Sequence, residues 1–205
     1  MVRRLRDAGV PVRAASRSGD TRFDWTDRTT WRPAVAGARA LYLVERGSAG
    51  PEDTAALARL AAAEGVGTLV LLSSREAGLP LGEYRRHALS EQAVREAGTG
   101  WTVLRASWFA QNFMTHFDAE VRSGVLRLPA GEGREPFVDA EDIAEVAAVV
   151  LTRGGHHGRT YELSGPRPLS YREAVGRISA LTGLSARYEP VPEAAAVAEG
   201  VWPAP

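Results

Sequence analysis

The feature that most constrains the fold of this chain is the alternation of short apolar runs with longer amphipathic segments. Residues 38–44 (ARALYLV), 68–74 (TLVLLSS) and 101–107 (WTVLRAS) are nearly continuous apolar runs, typical of strands buried on both faces of a parallel sheet. The segments 51–67 and 82–100 have helical spacing of apolar residues and end in glycine. This order predicts right-handed crossovers and an α/β fold with a doubly wound parallel sheet.

The amino-terminal segment MVRRLRDAGVPVRAASRSGD begins partway through such a unit. Residues 3–8 have the pattern of a helix that ends at Gly9, and residues 10–16 alternate as a strand does. A first strand and a glycine-rich loop would precede this helix in a dinucleotide-binding unit, and neither is in the sequence. We therefore expect a Rossmann-like sheet without its first strand.

The second half of the chain predicts a smaller, mixed lobe. A helix is expected from Asp139 or Asp142 to about Thr152, and strands over 159–165 and 186–192. Ser170 and Glu173 have the spacing of a capping box at the start of a helix over 170–184. We expect one domain, with a nucleotide-binding core over about 1–120 and a substrate lobe over about 121–205.

Composition excludes several classes of function. The 205 residues include no cysteine, and all 25 basic residues are arginine, against 25 acidic residues. Balanced charge without a basic cluster argues against nucleic-acid binding, and no apolar stretch approaches the length of a membrane span. Without lysine, neither a Schiff base nor a tyrosine–lysine proton relay is available. No signal-peptide pattern is present, and we expect a cytoplasmic protein.

Ligands of doubly wound sheets bind beyond the carboxyl ends of the strands. This rule directs attention to four loops, at 16–18, 44–47, 73–78 and 105–112. The first contains Arg17 between two serines, a donor set that suits the 2′-phosphate of NADP, although a solvated arginine after a strand is also common.

The residues after these strands give further candidates. Asp24 is placed to accept a hydrogen bond from an adenine amino group. Ser73 or Ser74 suits a contact with a substrate carbonyl or the nicotinamide ribose, and serines are also frequent at strand ends for structural reasons. Tyr84 and His87 share one helix face, and a histidine can donate a proton near neutral pH.

The segment WTVLRASWFAQNF is the most informative part of the sequence. A predicted buried strand leads to Arg105 and then to Trp108, Phe109 and Asn112 at near-helical spacing. Aromatic side chains at the end of a strand can wall an apolar pocket, and an amide can fix the orientation of a ligand. The alternative is that these aromatic residues are core.

His156 and His157 are adjacent in a glycine-rich link, without an acidic residue at ligand spacing. We expect them to lie in a solvated loop and predict no metal site.

These pieces, in this order, resemble the NmrA-like family of atypical short-chain dehydrogenase/reductases. The resemblance covers nearly all of residues 2–190 and is carried by VRRLRDAGVPVRAASRS, FDWTD, ALYLV, LLSS, HALSEQAVREAGTGWTVLRASWFAQNF, FVDAEDIAEVAAVVLT and YELSGPRPLSYREAVGRISALTG. It implies NADP(H) as cofactor, with phosphate at Ser16 and Arg17, adenine near Asp24 and the nicotinamide near Ser73, His87 and the turn from Arg105.

The resemblance further implies a substrate against Trp108, Phe109 and Asn112, and cofactor contacts near Val44. In reductases of this family a helix with the motif H-x-x-x-E replaces the tyrosine–lysine relay. In this chain the motif runs from His87 to Glu91. Ala106 stands where the family usually has proline.

The missing strand and loop have three explanations. The chain is a truncated or mis-started version of a longer protein, or a partner subunit supplies a strand, or the sheet has closed into a cofactor-free scaffold. The loop normally contributes the amides that bind the diphosphate, and the strand would be central in the sheet.

We expect an NAD(P)H-dependent reductase of a small apolar carbonyl or quinone, with Ser74 or His87 as the proton source. The alternatives are a non-catalytic NADP-binding redox sensor and a cofactor-free isomerase or cyclase with His87 as acid and base. The expected partner is a small-molecule substrate, with no nucleic acid and no membrane, and the sequence is compatible with a homodimer.

Overall fold

A computed structural model of the chain describes residues 1–46, 49–79 and 85–198. The chain divides into two compact units. The first contains Met1–Ala106 and Glu141–Leu163, and the second contains Ser107–Ala140 and the residues from Ser164 onward. The division therefore falls at Ala106, where a strand ends, and the chain later returns to the first unit. From the sequence, the boundary between the nucleotide-binding core and the substrate lobe was expected near residue 120.

The first unit is built on a parallel sheet of four strands in the order β3-β4-β5-β8. These strands are β3 (Ala40–Val44), β4 (Thr68–Ser74), β5 (Gly100–Ala106) and β8 (Arg159–Leu163). The parallel order and the intervening helices confirm the predicted α/β fold. The prediction for β4 agrees with the structure at both ends.

Helices cover both faces of this sheet. The helices of the first unit are α1 (Val2–Asp7), α2 (Trp31–Val35), α3 (Pro51–Ala63), α4 (Arg85–Arg95) and α6 (Ala140–Thr152). Leu69 and Leu71 pack in the core cluster to which α2, α3 and α4 contribute, whereas Val70 packs with α6. Because successive strand residues face opposite sides, the side chains of β4 point alternately toward the α2, α3 and α4 side and toward the α6 side of the sheet.

The amino-terminal strand is shorter than predicted. Only Ala15–Ser16 (β1) is a strand, and it pairs in parallel with Thr21–Arg22 (β2) in a separate two-stranded sheet. The only hydrogen bond from residues 10–14 to a neighbouring strand in the described ranges is long, with Thr21 N–H donating to the Ala14 carbonyl at 3.5 Å, and β3 pairs only with β4. β3 is therefore an edge strand, and Val44 is 37% exposed rather than doubly buried.

The second unit is a mixed α/β lobe. Its elements are α5 (Asp118–Ser123), β6 (Val125–Leu128), β7 (Arg134–Glu135), β9 (Leu169–Ser170), α7 (Tyr171–Thr182), β10 (Arg187–Pro190) and α8 (Glu193–Ala198). β6 pairs in parallel with β10, and β7 pairs antiparallel with β9. The capping box is confirmed, since Glu173 N–H donates to Ser170 Oγ at 3.1 Å and Ser170 N–H donates to Glu173 Oε2 at 2.8 Å.

None of the helices in the described ranges is long and apolar enough to cross a bilayer.

Candidate functional site

A row of polar side chains crosses the sheet of the first unit near the carboxyl ends of its strands. Ser73, Arg105 and Glu162 occupy aligned positions on β4, β5 and β8, so their side chains share one face. Glu91 of α4 lies against this row. Its carboxylate accepts hydrogen bonds from Ser73 Oγ at 2.7 Å, from Arg105 Nε and Nη2 at 2.8 Å each, and from Arg95 Nη2 at 2.8 Å.

The Glu91 side chain is fully buried and remains ionised. Burial disfavours its charge, but the hydrogen bonds from Arg105, Ser73 and Arg95 outweigh that cost, so its pKa lies below the ordinary value. The same pairing raises the pKa of Arg105. The family resemblance placed Glu91 in a relay with His87, whereas this geometry makes it the anchor of β4, β5 and α4.

The two predicted catalytic residues lie on different elements of the first unit. Ser74 ends β4 on the opposite face from Ser73, and its hydroxyl donates to the Glu76 carboxylate. His87 lies one turn before Glu91 on α4 and is half-buried. Tyr84, its predicted neighbour, is outside the described residues.

The predicted phosphate contact lies in the turn between β1 and β2. Ser16, Arg17 and Ser18 are all exposed there. A Cβ added to Gly19 would lie 2.4 Å from the carbonyl oxygen of Ala14 and 2.8 Å from Ser16 Oγ, so this turn closes tightly only around glycine. Among the described residues no hydrogen bond or ion pair occupies the Arg17 guanidinium, so its donors face solvent.

Asp24 lies in an aromatic cluster next to this turn. Its Oδ1 accepts from Thr26 N–H at 2.9 Å and from Thr26 Oγ1 at 2.8 Å. These bonds, with the charges of Arg17 and Arg22, hold the pKa of Asp24 below its ordinary value. A carboxylate in this state is a hydrogen-bond acceptor, although one of its oxygens already has two donors.

Val44, another predicted cofactor contact, ends β3 beside the same cluster. Its carbonyl oxygen accepts from Trp25 Nε1 at 3.2 Å. The Trp25 and Trp31 rings meet edge to face with centroids 5.9 Å apart, and Trp31 Nε1 donates to the Asp24 carbonyl at 2.8 Å. The loops after β2 and β3 are therefore joined through indole rings.

The second unit contains an open groove of about 570 Å³, lined by Trp108, Asn112, Thr115 and His116. Trp108 and Asn112 were predicted from the sequence, and Thr115 and His116 were missed. The spacing i, i+4, i+7, i+8 is the signal that could have identified them, because such residues share one helical face. Phe109 is half-buried and is not among the lining residues.

Backbone hydrogen bonds hold the start of this segment beside Val138. Val138 N–H donates to the Trp108 carbonyl at 2.9 Å, and Ala110 N–H donates to the Val138 carbonyl at 2.8 Å. Gln111 adds two side-chain bonds, donating to Asp139 Oδ1 at 2.9 Å and accepting from Ala140 N–H at 2.9 Å. Trp108 also stacks on Phe117, with ring centroids 6.3 Å apart and planes 9° apart. The groove therefore has a fixed aromatic wall.

The adjacent histidines, which were expected to lie in a solvated loop, both have hydrogen-bond contacts with neighbouring residues. His156 Nδ1 lies 2.8 Å from the hydroxyl oxygen of Tyr161, and Trp101 N–H donates to His157 Nδ1 at 3.2 Å. Only His157 is exposed. Across residues 1–46, 49–79 and 85–198, no cluster of three or more His, Asp or Glu side chains could hold a metal ion.

Comparison with known proteins identifies relatives along most of the chain. No family model matches. The chain is 34% identical over 200 residues to (4-alkanoyl-5-oxo-2,5-dihydrofuran-3-yl)methyl phosphate reductase of Streptomyces griseus, covering 91% of this chain and 70% of that protein. It is 27% identical over 190 residues to quinone oxidoreductase 2 of Escherichia coli, covering 91% of this chain and 63% of that protein.

Among solved structures, the chain is similar to an NADPH-dependent quinone oxidoreductase of Escherichia coli complexed with NADPH. The TM-score is 0.76 at 26% identity, and the match covers 96% of this chain and 68% of that one. The chain thus spans roughly two thirds of the length of these relatives.

Proposed function

Because this chain belongs to the NmrA-like family of atypical short-chain dehydrogenase/reductases, we propose that it serves NADP(H)-dependent reduction of a small apolar carbonyl or quinone. One curated relative is a reductase and the other an oxidoreductase by name, and the similar solved structure is that of an NADPH-dependent quinone oxidoreductase. Since the chain spans 70% and 63% of their lengths, the activity of the whole protein is part of the proposal.

The observation that carries the cofactor assignment is the exposed guanidinium of Arg17. It lies between the hydroxyls of Ser16 and Ser18 at the end of β1, without a hydrogen-bond partner among the described residues. A planar fork of donors beside two hydroxyls fits the 2′-phosphate that distinguishes NADP from NAD. Asp24, ionised in the neighbouring loop, would accept from the adenine amino group, with Val44 at the end of β3 alongside.

The residues present fit the adenosine 2′-phosphate end of the cofactor. The described ranges contain no glycine-rich strand-to-helix turn for the diphosphate, and we assign no residue to that group. Ser73 and Arg105 both contact Glu91, so in this proposal they fix the carboxyl ends of β4 and β5 where the nicotinamide ribose would bind.

The groove of the second unit would bind the substrate. Trp108 gives a flat apolar wall, and the Asn112 amide orients an oxygen of the substrate, with Phe109 as a further predicted contact. When bound, the cofactor supplies the hydride. Ser74 or His87 is the proposed proton source, and the Ser74 hydroxyl donates a hydrogen bond to the Glu76 carboxylate.

Binding and turnover test this proposal separately. Saturable quenching of tryptophan fluorescence by NADPH, and NADPH oxidation with a panel of quinones, are the expected results. NADPH binding without turnover would favour the redox sensor, and the absence of binding would favour the cofactor-free isomerase or cyclase. The expectations of a homodimer and of a cytoplasmic location remain predictions, of which sedimentation tests the first.

The Arg17→Ala variant tests the phosphate contact. Loss of a charge-assisted hydrogen bond should raise the Kd for NADPH about ten- to hundredfold and leave the Kd for NADH unchanged. Arg39→Ala, at an exposed arginine just before the amino end of β3, is the matched control and should have a much smaller effect. An unchanged Kd for NADPH in Arg17→Ala, with NADH bound as well as NADPH, would contradict the assignment.

A further inference from the structure

The polar side-chain groups of the residues that line the groove are one amide, one hydroxyl, one imidazole and the indole N–H of Trp108. The lining contains Asn112, Thr115 and His116, and neither arginine nor a carboxylate is among the four residues that line it. The Thr115 hydroxyl donates to the Gln111 carbonyl at 3.0 Å, so its proton is engaged within the turn. Besides the indole N–H of Trp108, the side-chain donors of the lining residues are the Asn112 amide and the His116 ring.

The position of the His116 ring is set by its neighbour. The His116 and Phe117 rings meet edge to face with centroids 4.9 Å apart, while Phe117 stacks on Trp108. Phe117 is buried and contacts both the tryptophan and the imidazole, whereas the His116 side chain is exposed. The groove thus has an aromatic wall with the accessible His116 imidazole beside it.

We infer that His116 is a specificity-determining residue which, with Asn112, binds a carbonyl oxygen of a planar dioxo aromatic substrate lying against Trp108. A flat π-face suits a ring system, and an amide and an imidazole donor suit a carbonyl oxygen. This inference rests on the proposed function. Of the two substrate classes proposed there, it selects quinones and not simple carbonyl compounds.

Ligand binding without cofactor tests the inference. Menadione is titrated while tryptophan fluorescence is recorded, and naphthalene serves as the ring system without oxygens. The wild-type chain should bind menadione more tightly than naphthalene. His116→Ala should weaken menadione binding about five- to tenfold, the effect of one hydrogen bond, and leave naphthalene binding unchanged.

Met114→Ala is the matched control, because Met114 is two residues before His116, 74% exposed and outside the lining. It should bind both probes as the wild type does. His116→Gln, which keeps a donor, should recover part of the lost affinity. Equal effects of His116→Ala on both probes, or none on menadione, would overturn the inference.

The kinetic readout separates this inference from the proposed function. In turnover with NADPH, His116→Ala should raise KM for menadione and leave kcat within about twofold, as expected when uniform binding is lost. Selective menadione binding by a chain that does not oxidise NADPH would support the role of His116 and contradict the reductase proposal. NADPH-dependent turnover of menadione that is unaffected by His116→Ala would support the reductase proposal and contradict the role of His116.

Discussion

The carboxylate of Glu91 and the guanidinium of Arg105 form a two-pronged contact, with Nε 2.8 Å from Oε1 and Nη2 2.8 Å from Oε2. This geometry joins α4 to β5 at the end of the sheet where the ligand loops begin. The same carboxylate also accepts a hydrogen bond from the Ser73 hydroxyl of β4, so one buried charge sets the relative positions of α4, β4 and β5.

Replacement of this carboxylate should be costly. Glu91→Gln removes the carboxylate charge that pairs with both Arg105 and Arg95, and leaves Arg105 only its longer contact with Glu162, at 3.8 Å. We expect the free energy of unfolding to fall by about 2 to 3 kcal/mol, somewhat less than for a fully buried pair because both arginines are partly exposed. Urea denaturation measures the change. Glu96→Gln on an exposed position of the chain just after α4 is the control, and a similar loss there would argue against a special role for Glu91.

The lowered pKa of Glu91 predicts a defined acid sensitivity. A group whose pKa is lower in the folded state stabilises the fold above its unfolded pKa, and that contribution is lost as pH falls through the folded value. The loss should therefore begin near the ordinary value of 4.5 and continue below it. Unfolding free energies measured from pH 6 to acid should fall more steeply for the wild type than for Glu91→Gln. Parallel curves would refute this reading.

Tyr42 predicts the opposite behaviour at alkaline pH. Burial on β3 raises the pKa of its phenol from 10.0 to about 12. A raised pKa stabilises the fold below the unfolded value, so this contribution should be lost between pH 10 and about 12. Tyr42→Phe has no phenol to ionise, and its stability should decline less over this interval in thermal unfolding experiments. Tyr161→Phe provides the comparison with another tyrosine of the same unit.

Two glycines should respond to alanine with opposite signs. Gly176 lies within α7 with open space around its missing Cβ, so Gly176→Ala should stabilise the protein by about 0.5 to 1 kcal/mol. In Gly19→Ala the new Cβ would meet the backbone oxygen of Ala14 at 2.4 Å, and we expect a loss of about 1 to 3 kcal/mol. Calorimetric Tm values compare the pair. A neutral Gly19→Ala would mean that the turn after β1 can rearrange.

The regular elements could be predicted from the sequence because local pattern and burial agree there. The run TLVLLSS is flanked by two paired strands, and its predicted limits are those of β4. The strand predicted over residues 10–16 has the right alternation, but only Ala15–Ser16 pairs with another strand, β2. Pairing is a tertiary property that an alternating pattern does not contain.

The site was predictable only in part for a related reason. Trp108 and Asn112 stand out by residue type after a buried strand, and both line the groove. A histidine such as His116 does not stand out by residue type, and its proposed role depends on its contact with the Phe117 ring. The anchoring role of Glu91 was equally hidden, because its three partners come from two strands and its own helix.

The alternation of Ser73 and Ser74 makes the length of β4 a constraint on inherited variation. One residue gained or lost inside this strand would exchange the side chains that face the two helical layers, and Glu91 would meet an apolar or misplaced partner. Viable insertions and deletions among natural variants should therefore occur in the connecting loops and avoid the interior of β4.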